Sequence, residues 1–249
     1  MPALITNIGV QMHRVFIIAA ASVFALTFGV SAQASTVVDV LGTYDLYLAG
    51  QPDGTSCCYF DNAPAESPIL APVSLYNGET LTFSATGGAS HEPGPLYATP
   101  DGDTSQTYDL HADYLTGISG PKGIHLGGLA GVFLGPDPTS EPAPAQLSGT
   151  DFASIAPEIG QIFYIGDGLT GTGSGSIQTF IVPTGATRLF LGITDDGGYY
   201  DNGGEIVANI TPLASAVPEP SVWMMILAGV ALMGAALRFN RKVNVAPLV

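Results

Sequence analysis

Basic residues are scarce in this 249-residue chain: six Lys and Arg stand against 21 Asp and Glu, a formal net charge of -15. A surface so poor in cations repels a phosphate backbone, which argues against nucleic acid as a partner. No G-x-S-x-G elbow occurs and no Ser, His and Asp arrangement stands out, so no motif points to an enzyme. A fixed-period repeat is also absent, and one domain suffices. Long apolar runs are confined to Val15 to Val30 and Val222 to Leu237. The charges are unevenly placed. Every acid except Glu219 falls between Asp39 and Glu205, where Lys122 and Arg188 are the only bases, so twenty acids against two bases leave that stretch at -18. Arg14, Arg238, Arg241 and Lys242 flank the apolar runs. That arrangement places membrane-directed segments on either side of one acidic domain.

Near the N-terminus, Met12-His13-Arg14 precedes the first apolar run, and Ala32-Gln33-Ala34 supplies the small residues a signal peptidase requires. Residues 1–34 are therefore expected to be a signal peptide cleaved after Ala34. Met12 is an alternative translation start, because Met1 to Gln11 carries no base. The run is shorter than the roughly 20 residues of a spanning helix, which disfavours an uncleaved anchor. Residues 217–249 hold Pro218-Glu219-Pro220, then an apolar membrane helix expected over 222–237, then Arg238, Arg241 and Lys242. Bases after the run hold that side in the cytoplasm and leave the preceding domain outside. These three elements in this order resemble the tripartite PEP-CTERM sorting signal of exported Gram-negative bacterial proteins. The resemblance implies that an exosortase recognises Pro218, Glu219 and Pro220, removes the helix, and delivers the domain to the cell envelope or an exopolysaccharide matrix. The tail Val243 to Val249 extends past the usual end of that signal.

Residues 35–216 are enough for one domain with a sizeable core. Gly and Pro recur, and strand-length apolar segments follow one another: Val37 to Leu41, Asp45 to Leu48, Leu81 to Ala85, Val132 to Leu134, Gln161 to Ile165, Ile177 to Val182, Arg188 to Thr194 and Glu205 to Ile210. Short apolar segments separated by turn residues predict an all-β fold, an antiparallel β-sandwich. Phe180 and Val182, then Leu189, Leu191 and Ile193, alternate as facing strands do, with Pro183-Thr184-Gly185-Ala186 as the turn of an expected hairpin. Gly135 to Gly149, with four prolines, reads as a surface loop.

The densest polar cluster is Asp195-Asp196-Gly197-Gly198-Tyr199-Tyr200-Asp201-Asn202-Gly203-Gly204-Glu205. Calcium takes roughly six to eight oxygens, and carboxylates, an Asn amide and the carbonyls of Gly-rich backbone supply them. The spacing fails the EF-hand template, because Gly197 and Tyr199 stand where that loop needs Asp or Asn. The alternative is a solvated acidic hairpin loop without metal.

Leu75-Tyr76-Asn77-Gly78-Glu79 followed by Leu81 to Ala85, together with Asp195 through Asn202 to Val207-Ala208-Asn209-Ile210, is similar to the calcium-dependent galactose-binding bacterial lectin family. The resemblance implies a jelly-roll sandwich. In it calcium is held by the Tyr76 carbonyl, Asp195 or Asp196, the Gly198 carbonyl, Asp201 and Asn202, and sugar hydroxyls complete the shell beside Asp195 and Asp201. Asp201 stands where the family has Asn, which keeps an oxygen and adds charge. The family's His-Pro motif has no clear counterpart: His91-Glu92-Pro93 interposes Glu92, and no Pro follows His111. Calcium retention with altered or lost sugar binding is thus one outcome the sequence allows.

Cys57 and Cys58 are adjacent. Neighbouring α-carbons lie about 3.8 Å apart, below the usual disulfide range, yet export favours oxidation. A vicinal disulfide, an intermolecular pair and two thiols all stay open. His91, His111 and His125 read as ordinary loop or surface histidines, and His111-Ala112-Asp113 is too little for a zinc site. Gly166-Asp167-Gly168-Leu169-Thr170-Gly171 has dinucleotide-loop spacing, but Thr172 to Ser176 cannot open a stable helix, so it reads as a glycine-rich hairpin loop. Asp101-Gly102-Asp103 reads as a solvated acidic turn. The leading expectation is an exported, non-enzymatic, calcium-binding, lectin-like protein of the cell surface or matrix that binds carbohydrate, exopolysaccharide included. The alternative is a structural or adhesive matrix protein in which calcium is only stabilising. A hydrolase would need paired carboxylates in a cleft, which no motif supports.

Overall fold

A computed structural model describes residues 34–55, 67–112, 117–137, 139, 142–213 and 220–243, with side chains of the last segment at 224–235, 237 and 238. Residues 1–33 of the expected signal peptide, Ala32 among them, the Cys57-Cys58 pair, Pro218 and Glu219 lie outside the described residues, while Ala34 is described and exposed. Among the described residues the strands are β1 (Thr36–Leu41), β2 (Ile69–Leu70), β3 (Thr80–Ala89), β4 (Leu129–Leu134), β5 (Ser154–Ile155), β6 (Ile162–Tyr164), β7 (Leu169–Gly171), β8 (Ser174–Ile177), β9 (Thr179–Ile181), β10 (Arg188–Ile193) and β11 (Gly204–Leu213). Helix α1 (Pro220–Val243) follows. Five strands form one sheet in the order β1-β11-β3-β9-β5, four form another in the order β2-β10-β4-β6, and β7-β8 is a separate hairpin. The ladders are antiparallel except that β5 runs parallel to β9 at the sheet edge, a departure from the wholly antiparallel expectation.

The sequence pattern of each strand follows from how its sheet is covered. In β1 Val38 and Val40 are buried while Val37, Asp39 and Leu41 face outward, the alternation of a sheet with one wet face. β4 and β10 are buried almost throughout, because the four-stranded sheet is covered on both faces. Inward, its Leu129, Phe133, Leu189, Leu191 and Ile193 share one core with Phe83, Phe180, Ile206 and Ile210 of the larger sheet. Outward, Val132, Leu134, Ile162 and Phe190 cluster with Leu46, Tyr47 and Ile118. The result is a two-sheet, sandwich-like architecture with a second apolar layer on one side.

Two sequence expectations change. Asp45 to Leu48 is not a strand: the Tyr47 N–H donates to Asp45 Oδ1 at 2.8 Å, which winds Leu46–Leu48 into a single 3-10 turn whose buried side chains help cover the outer face. Phe180 to Val182 and Leu189 to Ile193 are not a hairpin, since β9 pairs with β3 and β10 with β4. Pro183 to Ala186 therefore carries the chain from one sheet to the other. Alternation alone cannot separate these cases, because both bury alternate residues in one core.

β3 and β11 pair over ten residues, from Gly204 opposite Ala89 to Leu213 opposite Thr80, a span of about 30 Å at ~3.3 Å per residue. This long ladder defines two ends. One gathers the C-termini of β1, β3, β6 and β10 with the N-termini of β4 and β11. An open pocket of about 370 Å³ lies at the other end, lined by Gly135, Pro136, Asp137, Pro142, Pro144 and Gly185 among others. Among its described lining residues Asp137 is the one ionisable group, with no ionisable partner among them, so the pocket is a poor candidate for the chemistry.

In α1, Met224, Met225, Ile226 and Leu227 are all exposed. Four successive residues cover a full helical turn, so this stretch is apolar all round rather than amphipathic. Among the described residues no helix is long and apolar enough to cross a membrane.

Candidate functional site

The loop after β10 is tied down at both sides. Thr194 Oγ1 donates to His125 O at 2.6 Å and accepts from Gly128 N at 2.9 Å, while the Gly127 N–H donates to Thr194 O at 2.7 Å. These bonds fix where Asp195 begins. Gly198 is left-handed at φ 75, a conformation that glycine adopts without strain, and it turns the chain into a 3-10 turn, Tyr199–Asp201. Tyr199 is buried beneath, its hydroxyl donating to Asp195 O at 2.8 Å and accepting from Asp195 N at 3.2 Å. On the far side Ser90 and Gly203 exchange two bonds, both 2.9 Å, which join the loop to the end of β3.

Asp195 and Asn202 meet inside this frame. Asp195 is 4% exposed and Asn202 7%. Asn202 Nδ2 donates to Asp195 Oδ2 at 2.9 Å and to Gly42 O at 3.1 Å, and the Asp196 N–H donates to Asp195 Oδ1 at 2.6 Å. Asn202 Oδ1 is buried without a hydrogen-bond partner, which a native interior seldom tolerates. Burial pushes the Asp195 carboxyl up to about 7; the Asn202 and Asp196 hydrogen bonds oppose that rise, and the charges of Asp201 and Asp196 add to it. Of the two bases in this domain, Arg188 donates to the carbonyls of Gly135 and Asp137 at the other end, and Lys122 is exposed.

The expected ligand set is only partly assembled. Asp195 and Asn202 are together, and Asp201 lies close enough for its charge to act on Asp195. Asp196 turns away to His111, whose ring Nδ1 contacts Asp196 Oδ1 and whose N–H donates to it at 3.1 Å. The Gly198 carbonyl accepts from Asp201 N inside the 3-10 turn. Tyr76 does not belong to the set. It precedes β3, whereas the loop meets the end of β3, so the length of that strand separates them. Its carbonyl accepts from Glu79 N in a local turn, and its ring is 59% exposed. Sequence reasoning missed Gly42 O, Ser90 and the Tyr199 hydroxyl. Tyr199 lay inside the polar run and was legible as its anchor; Gly42, 160 positions from Asn202, carried no signal.

A second buried carboxylate sits at the same end. Asp101 is 4% exposed, accepts from Asp167 N at 3.1 Å, and has a buried Oδ2 without a hydrogen-bond partner. Burial raises its carboxyl first, and Asp167 adds to the rise, while hydrogen bonds and the His125 charge oppose it. Asp103 alone behaves as the solvated turn expected of this acidic pair, its carboxylate accepting from Ser105 N, Ser105 Oγ and Gln106 Nε2. The glycine-rich 166–171 stretch is only in part the loop expected: 166–168 turns the chain, but Leu169–Gly171 is β7 itself, which pairs with β8 in a hairpin turned at Thr172-Gly173. Among the described residues no group of three or more His, Cys, Asp or Glu side chains is arranged to hold a metal ion. A cation here would rest mainly on amide and carbonyl oxygens, the ligand chemistry of calcium rather than of zinc.

Residues 216–242 match the PEP-CTERM protein-sorting motif. The chain carries an exosortase sorting signal. The match spans Pro218-Glu219-Pro220 and nearly all of α1, and it marks the chain as an exported protein, processed by exosortase and sorted to the cell surface. No curated protein matches the chain.

Proposed function

We propose that this exosortase-sorted protein is a non-enzymatic, carbohydrate-binding component of the cell surface or its polysaccharide matrix, stabilised by calcium in the 195–202 loop. The observation that carries the reading is the enclosed pair Asp195 and Asn202, with a carboxyl that burial destabilises as an anion and an amide oxygen that has no partner. Buried charge needs a counter-charge or a proton. Asp195, the Asn202 side chain and the Gly42 carbonyl, which already meet here, would hold the ion. Calcium takes oxygen ligands of these kinds and would supply the counter-charge. Asp201 would add charge nearby.

The burial of both side chains favours calcium as a stabiliser over calcium as the sugar's ligand, because Asp195 and Asn202 are enclosed and present almost no surface to a sugar. Carbohydrate would then dock beside the loop. Before processing, α1 and its closing bases would hold the chain at the inner membrane, a reading supported by the apolar side chains exposed all round the helix at 224–227. Glycan-array binding by the exported protein, measured with calcium and with chelator, tests the reading. Binding that weakens as chelator loosens the fold supports it; no binding to neutral or charged glycans at saturating calcium overturns it.

A further inference from the structure

The segment between β3 and β4 builds a patch of rings and acids beside the loop. His91 and Tyr97 stack with centroids 5.6 Å apart and planes at 12°, and Tyr108 stands 6.3 Å from His91, tilted by 55°. All three rings are partly exposed. Tyr97 is firmly seated. Its N–H donates to Ala89 O at 3.1 Å, a Cβ at Gly127 would come within 2.9 Å of its ring, and a Cβ at Gly88 would stand 1.8 Å from its carbonyl oxygen. Two glycines from different parts of the chain thus make room for one tyrosine. Leu96, 55% exposed, extends the apolar surface over Gly203 and Gly204.

Acids fence this patch. Burial raises the Tyr97 hydroxyl, and the charges of Asp103, Glu92 and Asp195 raise it further, so these carboxylates lie within electrostatic range of the ring. Hydrogen bonds from Ser105 hold Asp103 below the usual carboxylate range, with a smaller contribution from His91.

We propose that His91, Tyr97 and Tyr108, together with Glu92 and Asp103, dock a polysaccharide bearing free amino groups, of the de-acetylated hexosamine class. The proposal rests on the carbohydrate reading above and adds a location and a chemical class. An aromatic face attracts a cation through its quadrupole and offers an apolar surface to a pyranose ring. The carboxylates pair with ammonium groups and accept from hydroxyls. A chain of net charge -15 steers a cationic polymer toward itself and repels a uronic one.

The test uses the exported protein with a glucosamine oligomer, its N-acetylated counterpart and polylysine, each at saturating calcium. The amine oligomer should bind roughly tenfold more tightly than the acetylated one. Tyr108→Ala and, separately, the charge-neutral pair Glu92→Gln with Asp103→Asn should each weaken that binding by about three- to thirtyfold, the melting temperature holding in the carboxamide pair and falling in Tyr108→Ala, whose ring also packs on the Leu110, Ile124, Leu126 and Tyr164 cluster. Equal affinity for the two oligomers, or polylysine binding as tightly and insensitively to Tyr108→Ala, overturns the proposal and leaves general charge attraction. If the amine oligomer fails to bind while other glycans on the array do, this proposal falls and the broader carbohydrate reading stands.

Discussion

In the calcium-free protein, Asp195→Asn should raise stability above neutral pH and lower it in acid. Burial lifts the Asp195 carboxyl from 3.8 to about 7, so the folded state holds this proton more tightly than the unfolded chain. The stability contributed by the protonated group is full below about pH 4, declines as pH rises toward 7, and is gone above it. A gap of about three pH units corresponds to roughly 4 kcal/mol, or on the order of 10 °C in a domain of this size. Asn cannot ionise, but it offers one oxygen where Asp195 accepts from both Asp196 N and Asn202 Nδ2. Losing one acceptor costs about 1–2 kcal/mol. The variant should therefore be less stable by that amount at pH 4 and more stable by about 2–3 kcal/mol at pH 8. Thermal melts of the exported protein in chelator from pH 4 to 8 give both curves, and their difference cancels other titrating groups. Calcium at pH 8 should restore the wild type and leave the variant unmoved. A variant that is less stable than wild type at pH 8 in chelator would refute the reasoning.

Asp101→Asn should also stabilise the protein above neutral pH, because burial raises that carboxyl and its Oδ2 has no hydrogen-bond partner; melts at pH 8 should show the gain with and without calcium alike. Phe180→Ala should cost about 3–5 kcal/mol in denaturant titration, since this ring packs edge-on to Phe83 at 5.0 Å and to Phe152 at 5.6 Å, and lies 5.3 Å from Phe163. Replacing Pro218, Glu219 and Pro220 together by Ala should leave a larger, membrane-retained form on immunoblots of fractionated cells, whereas the wild type should yield the shortened exported form.

Much of this fold is written in short-range pattern. The alternation of Val38 and Val40 with Asp39 and Leu41 marks a sheet with one wet face, and the uninterrupted apolar run of β4 marks one covered on both. Partnership is not so written. β9 and β10 read as a hairpin because each presents alternate residues to the same core, yet they lie in different sheets. The site divides in the same way. Asp195 and Asn202 are seven positions apart and share a loop, so their meeting was legible. Gly42, on the far side of the sheet order from any local cue, was brought in by the β1–β11 ladder. Tyr76 was assigned to the site by resemblance to another protein's motif, and the ten-residue β3 places it at the opposite end. Asp101 looked like a solvated turn because its burial depends on the 165–168 loop, which arrives 66 positions later.

Calorimetric titration of the exported protein with calcium at pH 8, beside magnesium and beside Asn202→Ala, tests the central claim most directly. The account predicts a saturable heat for calcium, a weaker one for magnesium, whose smaller octahedral shell suits this loop poorly, and none for the variant. Equal calcium heat in wild type and Asn202→Ala would place the ion elsewhere, and no heat in either would reduce the 195–202 loop to a hydrogen-bonded turn.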